Sequence, residues 1–181
     1  LVTGSHTLYQ EVTGLQPGEC VTWDMSTEIP TSERYYSYSC SYNSDLSTSE
    51  LCEKLDRVLM EVFGRLIETL DGNQIVVPLS GGLDSRLIVS MLKRFEYDNV
   101  FCYSYGVPGN KESLISSAVA EQLGYPWMQI PYSPNLWRET FKTQEYKLYS
   151  GFAANGGSFP HHDDWPAVKI LHQNSMVSKA A

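Results

Sequence analysis

The chain is short of several things, and each shortage closes off a class of function. No apolar run approaches the length needed to span a bilayer, and no secretory leader is visible at the start. Basic residues are in deficit: 13 Lys and Arg stand against 21 Asp and Glu, for a net charge of −8. Without a broad cationic face there is little to draw nucleic acid or an anionic membrane to this protein. That balance leaves room for one phosphorylated small molecule, because a nest of backbone N–H groups and a divalent cation can hold phosphate on an acidic protein. Cysteine is sparse as well. Cys20, Cys40, Cys52 and Cys102 show no paired spacing, and no Asn-x-Ser/Thr sequon occurs. Reduced thiols and a cytoplasmic setting are therefore expected. At 181 residues and 42% hydrophobic content, the chain suffices for one good-sized soluble domain, or one domain with part of another.

What the chain does have is the stretch Gln74 to Arg86, on which the rest turns. Ile75-Val76-Val77-Pro78-Leu79 reads as a short buried strand, and Ser80-Gly81-Gly82-Leu83-Asp84-Ser85 follows it. Leu87, Ile88, Met91, Leu92 and Phe95 then recur at the three-and-four spacing of an amphipathic helix. Strand, small-residue turn and helix make an anion site, because a helix start offers unpaired N–H donors and a partial positive charge. Glycines let the backbone turn sharply and approach a bound group. Ser80 and Ser85 add hydroxyls, and Asp84 is placed to hold a divalent cation that bridges phosphates. The competing glycine-rich patterns do not fit. A Walker A loop needs a Lys that is missing, the dinucleotide fingerprint needs Gly-x-Gly-x-x-Gly, and neither serine has the flanking glycines of a nucleophile elbow.

Strands and helices alternate around this loop. A capping box at Ser47 to Glu50 opens a long helix whose face carries Leu51, Leu55, Val58, Leu59, Val62, Leu66, Ile67 and Leu70, with Asp71-Gly72 as its stop. Asn99 to Tyr105 is a second parallel strand. A helix over 112–123 with Leu114, Ile115, Ala118, Val119 and Leu123 inward comes next, then a third strand at Trp127 to Ile130. Ser133 with Pro134 opens a helix running to about Tyr149, and another is expected around Ala167 to Gln173. The pattern predicts an α/β fold with a doubly wound parallel sheet and right-handed crossovers. Ligands in such sheets sit beyond the carboxyl ends of the strands, at the switch in strand order. Ser104, Tyr105 and Gly106 at the end of the second strand are thus the candidates to meet an adenine edge. Upstream, Thr7 to Val12 and Cys20 to Trp23 read as a β-hairpin with a type II turn at Pro17-Gly18 and one Trp to bury. Met25 to Asp45 reads as a polar linker whose tyrosines lie on the domain surface. His161-His162-Asp163-Asp164 offers four adjacent potential ligands, but adjacent residues cannot all point inward, and a loop into the next helix is the preferred reading. Asp163 or Asp164 could meet substrate.

Leu79-Ser80-Gly81-Gly82-Leu83-Asp84-Ser85, then a strand ending Ser104-Tyr105-Gly106, then Ala118-Val119-Ala120-Glu121-Gln122-Leu123-Gly124 resembles the synthetase domain of asparagine synthase-type enzymes. These belong to the ATP pyrophosphatase (PP-loop) superfamily, whose fold is adenine nucleotide alpha hydrolase-like. The similarity spans roughly Leu46 to Ile130. The 7–18 segment is also similar to the closing hairpin of the family's glutamine amidotransferase domain. Residues 1–44 would then be the end of an amidotransferase domain with its linker, and residues 45–181 the first part of an ATP-binding domain. The resemblance implies ATP split between its α and β phosphates. A small carboxylate (aspartate, or a sugar or other acid) would be activated as its acyl-adenylate and amidated with ammonia from glutamine. It implies Leu79 to Ser85 on ATP and pyrophosphate, Asp84 on Mg²⁺, and an acidic partner at Glu112. Arg86 departs from the family, where a small residue is usual, and this widens the choice of carboxylate. The family's N-terminal catalytic Cys and its second Ser-Gly-Asp-Gly-type loop have no counterpart. No catalytic residue is therefore assigned, and the chain is expected to be a fragment that does not turn over alone. A homodimer is compatible with the family. Two alternatives stay open: a different PP-loop ligase, and a nucleotide-binding or interaction module without catalysis.

Overall fold

The structure, a computed structural model, describes residues 3–39, 45–154 and 161–177. It divides into two units, Leu1–Asp45 with Gly151–Pro160, and Leu46–Ser150 with His161–Ala181.

The first unit holds a two-stranded antiparallel hairpin, β1 (Glu19–Trp23) and β2 (Pro30–Arg34), paired from Glu19 opposite Arg34 to Trp23 opposite Pro30. This corrects the hairpin expected from the sequence. The turn at Pro17-Gly18 forms as expected, with Glu19 N–H donating to Gln16 O over 3.0 Å and Gly18 at φ +75°. It precedes β1 rather than joining two strands. Residues 7–12 fold on themselves: Thr7 Oγ1 donates to Val12 O (2.6 Å), and one isolated bridge joins His6 and Thr13. The true partner strand lies inside the stretch expected to be a linker. Its Thr-Ser-Glu-Arg run is polar and exposed on both faces, so it carries no alternation to reveal it. Trp23, Tyr35, Tyr36 and Tyr38 are exposed.

The second unit is α/β. A long helix α1 (Thr48–Leu70) leads into β3 (Ile75–Pro78), α2 (Leu83–Arg94), β4 (Val100–Gly106), α3 (Lys111–Leu123) and β5 (Trp127–Pro131). After these come α4 (Pro134–Lys142), α5 (Gln144–Ala154) and α6 (Asp164–Gln173). The three strands are parallel in the order β3-β4-β5, so no reversal of strand order occurs among the described strands. β4 is central and alternates strictly. Val100 and Cys102 join Val77, Leu79, Val89, Leu92 and Ala120 in a core under α2 and α3, while Phe101 and Tyr103 pack with Ile130, Ala167 and Leu171 under α6. Both faces of the sheet are thus covered by helices, which is why β4 reads as a nearly continuous apolar run.

Helix ends follow their sequence signals. Ser47 and Glu50 form the reciprocal capping box, and Asp71 closes α1 in the left-handed region. Helix faces follow less closely. On α2, Val89, Met91 and Leu92 are buried and Leu87 and Ile88 are exposed. On α3, Val119 and Leu123 pack against this core as expected, but the fully buried positions are the small Ser113, Ser116 and Ala120, and Leu114 lies outside at 63% exposure. Close approach is the reason. Ser116 Oγ donates to Ser113 O and accepts from Trp127 Nε1 (3.1 Å each), which satisfies the buried hydroxyl. The helix expected from Ser133 to Tyr149 is broken at Thr143, whose backbone is extended; its Oγ1 accepts from Tyr146 N–H (3.2 Å) and starts α5.

Candidate functional site

β3 stops at Pro78, opposite Tyr103, whereas β4 continues beside β5 to Gly106. The step leaves a notch beyond the carboxyl end of β3, and the 80–85 loop fills its rim. The loop is held by its own serines. Ser80 N–H donates to Ser85 Oγ (3.0 Å), the two hydroxyl oxygens lie 3.1 Å apart, and Gly82 N–H donates to Ser80 Oγ (3.1 Å). Part of the expected donor set is thus used to shape the loop. The start of α2 stays open: its N-cap is Gly82, and no side chain caps it. N–H groups in that first turn have no intrahelical acceptor, which is the condition for anion binding there. Arg86 turns back, its Nε donating to Gly82 O (2.9 Å).

Gly81 sits at a close approach. A Cβ on it would lie 3.2 Å from the Cα of Glu112, the second residue of α3. The loop and the start of α3 therefore close on one another, and Glu112 joins a cleft of about 240 Å³ lined by Leu79, Ser80, Tyr103, Ser104, Tyr105, Ser113 and Asp164. The expected residues Leu79, Ser80, Ser104, Tyr105 and Glu112 converge here, and Asp164 joins them from the start of α6. Leu83 and Asp84 are exposed on the first turn of α2, outside the cleft lining. Gly106, at φ +128°, ends β4 beside Asn110, which caps α3 by accepting from Ser113 N–H (2.8 Å).

Two features of the cleft bear on a ligand. Ser104 is 8% exposed and its Oγ has no hydrogen-bond partner. A buried hydroxyl left so costs about 1–3 kcal/mol. Tyr105, by contrast, is engaged. Its ring stacks on Tyr132 at 5.0 Å, and its hydroxyl donates to Asp164 Oδ1 (2.8 Å), whose Oδ2 takes His161 Nδ1 (2.8 Å). Burial, and then the Asp164 hydrogen bond, push the Tyr105 phenol above its ordinary range. Tyr132 is held likewise, donating to Asp163 O (2.5 Å) and accepting from Ala167 N–H (3.0 Å), which anchors α6. Tyr103, Ser113 and Pro78 were missed by sequence reasoning. Ser113 had a signal, since it follows Glu112 at the helix start that the loop must face.

Among the described residues no group of three potential metal ligands gathers, and the 161–164 run is spent on helix α6 and its neighbours. A single exposed carboxylate at Asp84 does not form a resident metal site. It does suit Mg²⁺ arriving with phosphates, since that ion keeps several waters and needs one or two protein carboxylates. Among the described residues no helix is long and apolar enough to cross a membrane.

Residues 69–143 match the profile of the asparagine synthase family. No curated protein matches the chain. Among solved structures, the chain is similar to the NH3-dependent NAD synthetase from Campylobacter jejuni subsp. jejuni NCTC 11168 in complex with the nitrate ion, with 16% identity and a TM-score of 0.45. That match covers 68% of this chain and 52% of the synthetase, so this chain spans about half of that protein's length. Asparagine synthases belong to the PP-loop family of amide-forming ligases, whose members use ATP. The matched segment, residues 69–143, is the one that carries the loop, the notch and the start of α3.

Proposed function

We propose that this chain supplies the ATP-binding part of an asparagine synthase-like ligase. The triphosphate lies over Leu79 to Ser85, with the open start of α2 donating to phosphate oxygens and Ser80 and Ser85 holding the loop in shape. Asp84 would hold Mg²⁺, which supplies charge neutralisation at the bridged phosphates when bound. The adenine lies in the notch against Ser104, Tyr105 and Gly106, met by the Ser104 hydroxyl and by backbone groups. The Tyr105 ring serves the wall through Tyr132 and Asp164 rather than as a free stacking platform. ATP is split between its α and β phosphates, and a small carboxylate such as aspartate or a sugar acid is activated as its acyl-adenylate. Ammonia from glutamine then displaces AMP. On this reading residues 1–44 are the end of the amidotransferase domain, residues 45–181 begin the ATP-binding domain, and the setting is cytoplasmic. We assign no base for the amidation step to these residues. Within the cleft Asp164 is committed to Tyr105 and His161, so the chain alone binds ATP without turning it over.

One observation carries this reading: the loop that leads into the uncapped start of α2 borders, through Leu79 and Ser80, a cleft that Ser104, Tyr105 and Glu112 also line. Calorimetric titration with Mg-ATP tests it on the chain itself. Asp84→Ala is expected to weaken Mg-ATP roughly tenfold and leave metal-free ATP little changed, a loss of about 1.4 kcal/mol. Equal affinity of the variant and the parent would remove Asp84 from the metal site.

A further inference from the structure

The cleft beside the 80–85 loop is lined by two carboxylates, Glu112 and Asp164, and among the described residues by no Lys, Arg or His. At about 240 Å³ it falls below the roughly 300–1,000 Å³ of a site that takes a whole drug-sized ligand. It suits one ring of a nucleotide, with the phosphates left outside over the start of α2. An anionic lining repels a ring edge made of acceptors and favours one that carries N–H donors. The two carboxylates stand at different ends. Glu112 lies against Gly81 of the loop, and Asp164 lies on Tyr105.

Asp164 is the first residue of α6, beyond the segment 69–143 that matches the asparagine synthase profile. Its position is fixed by two tyrosines. Tyr132 O–H donates to Asp163 O and its oxygen accepts from Ala167 N–H, while its ring stacks on Tyr105. Tyr105 O–H donates to Asp164 Oδ1, and His161 Nδ1 lies 2.8 Å from Oδ2. A carboxylate offers about four lone-pair positions, so these two bonds leave part of its capacity unused. The side chain is still 41% exposed. The neighbouring hydroxyls have less to give. Tyr105 spends its proton on Asp164, and Ser113 spends its own on Asn110 O (2.9 Å). Tyr103, also in the lining, feels the charge: burial and then Asp164 push its phenol above the ordinary range.

We propose that Asp164 is a specificity-determining residue, whose carboxylate accepts from the exocyclic 6-amino group of the bound purine and selects 6-aminopurine nucleotides over purines without that donor. This rests on the reading that adenine occupies the cleft. The bond is charge-assisted, and a purine without the amine covers the carboxylate and leaves it unpaired on that side.

Calorimetric titration of the full chain tests this by comparing Mg-ATP with the Mg²⁺ complex of purine riboside 5′-triphosphate, which is ATP without its 6-amino group. The parent is expected to prefer ATP on the order of tenfold or more. Asp164→Ala is expected to bring the ratio of the two affinities close to one. Asp164→Asn keeps an acceptor for Tyr105 and loses the charge, and is expected to give an intermediate ratio. A residue that only braced α6 would weaken both nucleotides alike and leave the ratio unchanged. Equal affinity of the parent for both nucleotides overturns the proposal while the phosphate cradle stands. So does a preference for ATP that both variants keep in full. A parent that binds neither nucleotide overturns the cradle as well.

Discussion

Ser104 has opposite effects on two measurable quantities, which makes it a sensitive residue. Its hydroxyl is buried without a partner, so it destabilises the unliganded fold, and on the proposed reading a bound adenine supplies the missing partner. Ser104→Ala is therefore expected to raise the urea midpoint, by up to about 1–3 kcal/mol in stability. The same variant is expected to bind ATP several-fold more weakly, on the order of 1 kcal/mol. A variant that loses stability and keeps its affinity would show that the hydroxyl serves the fold instead. Cys102 is a residue of the core. Burial raises its thiol from 9.0 to about 11. A folded-state pKa above the unfolded one stabilises the protein fully below pH 9 and loses that contribution as pH rises toward about 11. Replacing Cys102 with Val is expected to flatten the alkaline limb of the stability-pH curve between those values. Exposed Cys20 and Cys52 should react with a thiol reagent in the native state, and Cys102 only on unfolding.

At the scale of elements, what the sequence shows most clearly is where the chain must stop and turn. The Ser47 box, the Asp71-Gly72 stop, Asn110 and Ser133 all cap helices as their local chemistry dictates. The strand–loop–helix around Gly81 and Gly82 is legible for the same reason, since its residues are chosen for backbone geometry. Which side a helix buries is less legible, because that depends on how closely its neighbour approaches. On α3 the space is so small that Ser116 and Ala120 face the sheet and Leu114 faces out. Ala120→Leu is accordingly expected to destabilise the fold by about 1–3 kcal/mol in denaturant unfolding, although it makes the helix more apolar. Removing bulk from Leu92, which is fully buried between α2 and the sheet, is expected to cost about 2–5 kcal/mol as Leu92→Ala. Polar β2 and the break at Thr143 were not visible in advance. One has no apolar face, and the other rests on a single hydroxyl finding an N–H three residues on.

At the scale of the molecule, the site is assembled from segments far apart in sequence: the end of β3, the end of β4, the start of α3 and the start of α6. Asp164 shows how far pattern can reach. As one of four adjacent acidic and histidine residues it suggested a metal or a substrate contact, and only the fold brings it to Tyr105, 59 residues away in sequence. The claim on which the rest depends is that the 80–85 loop and the open start of α2 cradle the phosphates of ATP. Amide chemical shifts in ¹⁵N-labelled chain, recorded as a non-hydrolysable Mg-ATP analogue is added, report on those N–H groups one by one. The largest shifts are expected at Gly81, Leu83, Asp84 and Ser85, with Ser104 and Tyr105 following. Saturating shifts confined to other surfaces, with the 80–85 amides unmoved, would contradict the account.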